Sequence, residues 1–105
     1  MKSSLSKELL YSNEYILDFS SQNITKKKEQ KIDEIKYDSF NKILTSLLTN
    51  DEFTKLKNII DINFINKFVY GIDIEEEKIN NDTYFSKIKI TYDNSKIIDY
   101  FISNN

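Results

Sequence analysis

"GIDIEEEKINNDTYFSKIKITYD", residues 71–93, holds the only glycine of the chain, its densest acidic run, and two alternating segments around a polar turn. Alternate residues of a strand share a face, so parity sorts the side chains. Tyr70, Ile72 and Ile74 form one apolar set, and Ile88, Ile90 and Tyr92 form the other. A two-residue turn at Asn80 and Asn81 would set the apolar residues of one strand against the polar residues of its neighbour. A three-residue bulged loop of Asn80, Asn81 and Asp82 aligns them. The expected inner pairs are Tyr70 with Tyr92, Ile72 with Ile90, and Ile74 with Ile88. The outer face then sets Asp73 against Lys89 and Glu75 against Lys87, pairs worth about 0.2–1 kcal/mol each.

This register argues against a metal site in the acidic run. Calcium takes six to eight oxygen ligands, but only Asp73, Glu75 and Glu77 share a side in the expected hairpin, and two of them face lysines. Glu76 is expected on the inner side beside Ser86. Gly71 falls opposite Thr91, where a missing side chain permits a bulge or the approach of another backbone. Gly71, Asp73 and Thr91 are therefore the candidate docking edge.

Around the hairpin, "EYILDFSS" alternates with Tyr15, Leu17 and Phe19 on one face, the pattern of a first strand. From about Lys27 the period changes, and Ile32, Ile35, Phe40, Ile43, Leu44 and Leu47 fill one arc of a long helix ending near Thr49. Asn50 is expected to cap a short second helix with Asp51 and Glu52 in its first turn and Phe53 and Leu56 inward. "IIDINFINKF" reads as a helical turn capped by Asp61 or Asn63. After Tyr92, Asp93 or Asn94 caps a closing helix carrying Ile97, Ile98, Phe101 and Ile102. The fold class is α+β: a three-stranded, largely antiparallel sheet with helices on one face, in the order β-α-α-β-β-α. Residues 1–13 are expected to form a loosely ordered arm, and 14–105 a single domain.

Composition excludes much chemistry. The 105 residues suit one domain, which can bury roughly two-thirds of its unfolded surface. Cysteine and histidine are absent, removing disulfides, thiolate nucleophiles, imidazole bases and the commonest transition-metal ligands. All 15 basic residues are lysine and the formal net charge is -2, which disfavours a nucleic-acid partner. Lys26, Lys27, Lys28 and Lys31 form a local cluster, a candidate anion-binding patch whose simpler reading is a solvated helix start. Ser-x-x-Lys occurs at Ser4 and Lys7, Ser39 and Lys42, and Ser86 and Lys89, without the companion motifs of penicillin-binding enzymes. Ser39 is expected instead to supply a small residue where the long helix meets the sheet.

From Tyr15 onward the chain resembles the bacterial family catalogued as domain of unknown function 2066. The resemblance rests on "DSFNKILTSLL", on "FINKFVYGIDIEEEKINNDTYFSKIKITYD" and on "IIDYF", with Glu77, Lys78, Tyr84 and Asp93 at the motif positions of the family. It implies an exported, envelope-associated protein with no established activity. No stretch approaches the roughly 20 apolar residues of a membrane span. The N-terminus as given lacks a signal peptide, so a cytoplasmic location is expected, or the envelope if an upstream leader was omitted. The expected function is a non-enzymatic interaction or scaffold module with a protein partner and no cofactor. The alternative is a single-stranded nucleic-acid binder of KH type, suggested by element order; the Gly-x-x-Gly clamp of KH domains is replaced by "LLTNDEF".

Overall fold

The computed structural model describes residues 10–103. Its elements are β1 (Leu10–Ser20), α1 (Ile24–Leu47), α2 (Asn50–Leu56), α3 (Ile62–Asn66), β2 (Val69–Asn80), β3 (Thr83–Asp93) and α4 (Asn94–Ser103). The three strands form one antiparallel sheet in the order β1-β3-β2. β1 begins at Leu10, so residues 10–13 belong to the sheet and not to an arm; residues 1–9 lie outside the described residues.

Local sequence sets the helix boundaries. Asn23 caps α1 by accepting the Lys26 amide, so the helix starts before Lys27. Thr49, not Asn50, caps α2: its hydroxyl accepts the Glu52 amide at 3.2 Å and the Glu52 carboxylate accepts the Thr49 amide at 2.9 Å. This reciprocal capping box satisfies two amides that the helix start would otherwise leave open. Asp61 caps α3. At α4, the Asp93 carboxylate accepts the Lys96 amide at 3.2 Å and the Ser95 hydroxyl at 2.6 Å.

β3 is central, which is why its inward residues Tyr84, Ser86, Ile88, Ile90 and Tyr92 are all buried. Leu17 of β1 joins them, and Ile35, Phe40, Ile43 and Leu44 of α1 pack above with Phe64 and Ile65 of α3 and Ile97 of α4. Phe40 is the hub, with ring centroids 5.6 Å from Phe68, 5.7 Å from Tyr92 and 6.0 Å from Phe64. Such aromatic contacts add about 0.5–1.5 kcal/mol per pair beyond burial.

The hairpin follows the expected register from Gly71 opposite Thr91 to Glu75 opposite Lys87 and departs from it at both ends. Near the turn, Asn80 pairs with Thr83, so the loop is the two residues Asn81 and Asp82 rather than three. The extra residue is taken up by a bulge, in which Glu76 and Glu77 together oppose Ser86, with Glu76 at a φ of 51°. The bulge places Ile79 opposite buried Tyr84 and Lys78 opposite Phe85. A three-residue loop would have put Lys78 on the helix side, where desolvating its ammonium is costly. At the other end a second irregularity makes Val69 the partner of Tyr92, leaving Tyr70 unpaired and 67% exposed. Gly71 beside it has no positive φ, and a Cβ there would meet nothing within 4 Å.

Candidate functional site

The acidic run is divided between the two faces of the sheet. Because the bulge inserts one residue, parity reverses after Glu75, and Glu76 and Glu77 exchange the sides assigned to them from the alternation. The Glu76 carboxylate takes the Lys87 ammonium at 2.7 Å, displacing the expected Glu75 pair although Glu75 lies directly across in register. Glu77 turns to the helix side. Its Oε2 accepts the Tyr84 hydroxyl at 2.6 Å and the Lys28 ammonium at 2.8 Å, while that ammonium stands 5.4 Å from the centroid of the Tyr84 ring.

This clasp joins α1 to both strands of the hairpin. The hydrogen bond from Lys28, followed by that from Tyr84, holds the Glu77 carboxyl below its ordinary value. Burial first, and Glu77 second, raise the Tyr84 hydroxyl. A general acid or base works best with a pKa near the operating pH. Here the carboxylate is shifted down and the phenol up, away from neutrality, and the arrangement fastens the helix to the hairpin.

A second clasp binds α1 to β1. The Tyr15 hydroxyl donates to Asp38 Oδ2 at 2.7 Å, Lys42 Nζ lies 3.1 Å from the same oxygen, and that ammonium is 5.3 Å from the centroid of the Tyr15 ring. Burial, then the Asp38 contact, raises the Tyr15 hydroxyl, and Tyr15 and Lys42 lower the Asp38 carboxyl. One turn away, Ser39 is fully buried, with Oγ 2.7 Å from Tyr92 Oη and donating to the Ile35 carbonyl at 2.7 Å. Lys42 is occupied with Asp38 and Tyr15. The Ser39 and Lys42 pair therefore does not form a nucleophile and base.

The lysine cluster at the start of α1 is partly neutralised, since Lys28 pairs with Glu77 and Lys31 with Glu34 at 3.7 Å. The amide of Lys26 is satisfied by Asn23. Of the candidate docking edge, Gly71 and exposed Asp73 lie on edge strand β2. Thr91 is on the central strand, nearly buried, with its hydroxyl 2.9 Å from Ser12 Oγ. The three therefore do not form one edge, because strand order across the sheet is invisible to parity within a hairpin.

The α1–α2 junction carries the Thr49 and Glu52 capping box with Asp51 in the first turn, an acidic structure unlike a backbone phosphate clamp. The helix-free face of the sheet presents Glu14, Ile16, Asp18, Asp73, Glu75, Lys87 and Lys89. A groove of about 790 Å³, open to solvent, adjoins Glu14, Ile16, Glu75, Glu76, Lys87 and Lys89 and reaches Tyr15 and Lys42 of the second clasp. Among the described residues, no three carboxylates gather into a metal-binding group, and no helix is long and apolar enough to cross a membrane.

The clasps make stability depend on pH in both directions. Asp38, Glu76, Glu77 and Asp93 are lowered from reference values of 3.8 or 4.5 by hydrogen bonds to Tyr15, Lys87, Lys28 and Ser95 respectively. Their contribution is complete above those reference values and is lost as pH falls through the depressed folded values. Tyr92 is pushed up to about 12 by burial, from 10.0, so its contribution is complete below pH 10.0 and is lost as pH rises through 12. Thermal unfolding should therefore show a plateau between about pH 6 and about pH 9 with a fall on each side. Glu77→Gln should shrink the acid fall, and Tyr92→Phe the alkaline one. Unchanged limbs in both variants would assign the pH dependence to other groups.

The sequence reading missed both clasps. Ile79 carried a signal for the first, since its odd number breaks the even parity of Ile72 and Ile74 and calls for an inserted residue between them. The second had only a weak signal, because Asp38 reads as an outward residue of α1. No family model matches the chain, and no curated protein or solved structure matches it.

Proposed function

We propose that this domain is a non-catalytic interaction module that presents the helix-free face of its sheet to a protein partner. One observation carries the reading: among the described residues no helix covers that face, and it sets Ile16, 65% exposed, among charges of both signs. An apolar contact ringed by a polar, solvent-accessible rim is the anatomy of a non-obligate protein interface. The exposed Asp38 and Glu77 carboxylates are engaged in clasps with tyrosine and lysine, which favours a scaffold over an enzyme. Membership of the domain of unknown function 2066 family and an envelope location belong to the same proposal and rest on the motif resemblance. The KH-type alternative rests on element order and finds an acidic α1–α2 junction where its clamp would lie.

The test places a photo-reactive amino acid at Asp18 or Lys87 on the open face, or at Thr54 on α2, in the cells that make the protein. The expected result is one discrete heterologous adduct from the sheet positions, none from Thr54, and its loss on combined Lys87→Glu and Lys89→Glu reversal. Equal labelling from all three positions would overturn the reading. So would metal-dependent hydrolysis abolished by Glu75→Gln, and salt-sensitive binding to single-stranded nucleic acid would favour the KH alternative.

A further inference from the structure

The two edges of the sheet are treated differently. β2 is interrupted by irregularities at Val69/Gly71 and Glu75/Lys78, has a positive φ at Glu76, and carries charges from Glu75 to Lys78. These are the devices that prevent one edge strand from pairing with another. β1 has no bulge and no positive φ, and its charges are limited to Glu14 and Asp18. Its 11 residues, "LYSNEYILDFS", run in unbroken register against β3 from Leu10 opposite Asp93 to Ser20 opposite Thr83, with no lysine, proline or positive φ. It is about twice the usual strand length of 5–6 residues, and its second edge has no strand partner among the described residues.

We infer that β1 pairs antiparallel with β1 of a second copy of this chain, about a two-fold axis normal to the sheet at Tyr15, giving a continuous six-stranded sheet. Such an axis pairs residues of equal parity, so the apolar residues of both copies stay on the helix side. The register follows from overlap and from charge independently. An axis at Tyr15 pairs every described residue of β1, whereas an axis at Ile16 leaves Leu10 and Tyr11 unpaired. An axis at Glu14 would oppose that carboxylate to its own copy, and an axis at Ile16 would oppose Glu14 to Asp18. The axis at Tyr15 sets Glu14 against Ile16 and Asp18 against Ser12, so no like charges are directly opposed.

Extended across the joined sheets, one row then reads Glu75, Lys87, Ile16, followed by Glu14, Lys89 and Asp73 of the second copy, with the sign alternating throughout. The two Ile16 side chains become diagonal neighbours across the axis, within reach of each other. Each is 65% exposed in the single chain. The inference concerns the edge of the sheet and is independent of the partner proposed for its face.

Sedimentation velocity over a concentration series tests it, because the expected species at high concentration has twice the 12.5 kDa chain mass. Ile16→Glu, on the exposed face, would set like charges directly opposed at Glu14 of the second copy, so it should keep the fold by circular dichroism and weaken dimerisation by about tenfold or more. The register is tested in the otherwise cysteine-free chain by Ser12→Cys with Asp18→Cys. This double variant should oxidise to a covalent dimer, while Glu14→Cys with Asp18→Cys should not. A monomer at every concentration, a dimer indifferent to Ile16→Glu, or cross-linking in the second pair alone would overturn the inference.

Discussion

Replacing Phe40 with alanine is expected to cost about 3–5 kcal/mol of unfolding free energy, a large share of the ~5–15 kcal/mol that holds a domain of this kind. The ring is fully buried and touches Phe64, Phe68 and Tyr92, so it joins α1 to α3, to the approach to β2 and to the central strand. Collapse cannot refill the space, because the neighbours belong to elements fixed by other contacts. Urea denaturation checks the value, with Tyr37→Ala as the control. Tyr37 lies three residues earlier on the same helix but is 37% exposed, and its loss should be well under half that of Phe40. Equal losses would mean that Phe40 is not the hub.

Ser39 yields the second large effect, and the order of two substitutions identifies its role. Ser39→Ala removes hydrogen bonds to Tyr92 and the Ile35 carbonyl, but Tyr92 Oη keeps its bond to the Lys36 carbonyl at 3.1 Å. The expected cost is about 1 kcal/mol. Ser39→Leu also forces a branched side chain between α1 and the face of β3, where the serine is fully buried, adding overpacking of about 1–3 kcal/mol. Leucine should therefore be the more damaging by thermal or urea denaturation. The reverse order would show that the hydroxyl, and not the space, is what this position requires.

How far the sequence reaches is clearest at particular residues. Alternation identified the inward residues of β1 at Tyr15, Leu17 and Phe19, and the pairing of Ile72 with Ile90 and Ile74 with Ile88, because neighbouring side chains on a strand must point apart. The helical arc from Ile35 to Leu44 was legible for the same kind of reason, and so was the need for a small residue at Ser39. The caps of the three short helices were legible to within one residue, Thr49 displacing Asn50 because its hydroxyl and the Glu52 carboxylate serve each other, whereas the Asn23 cap of α1 was not read.

The site was less legible. Lys28 and Glu77 lie 49 positions apart, and nothing in either neighbourhood announces the other. The side on which Glu77 falls depends on where the hairpin places one extra residue. A longer loop and a bulge align Ile72 and Ile74 equally, and only the odd position of Ile79 separates them. Backbone periodicity acting over a few residues was enough to place the elements, the buried faces of β3 and α1, and the register at the middle of the hairpin, but not the exposure of Tyr70 and Ile74 on β2. Only the tertiary structure decided that β3 is central, that the extra residue sits at Glu76 and Glu77, and that the acidic run is divided between two faces. Those choices follow from contacts between distant segments: Tyr84 and Lys28 satisfy a carboxylate on the helix side, and the bulge keeps Lys78 in water.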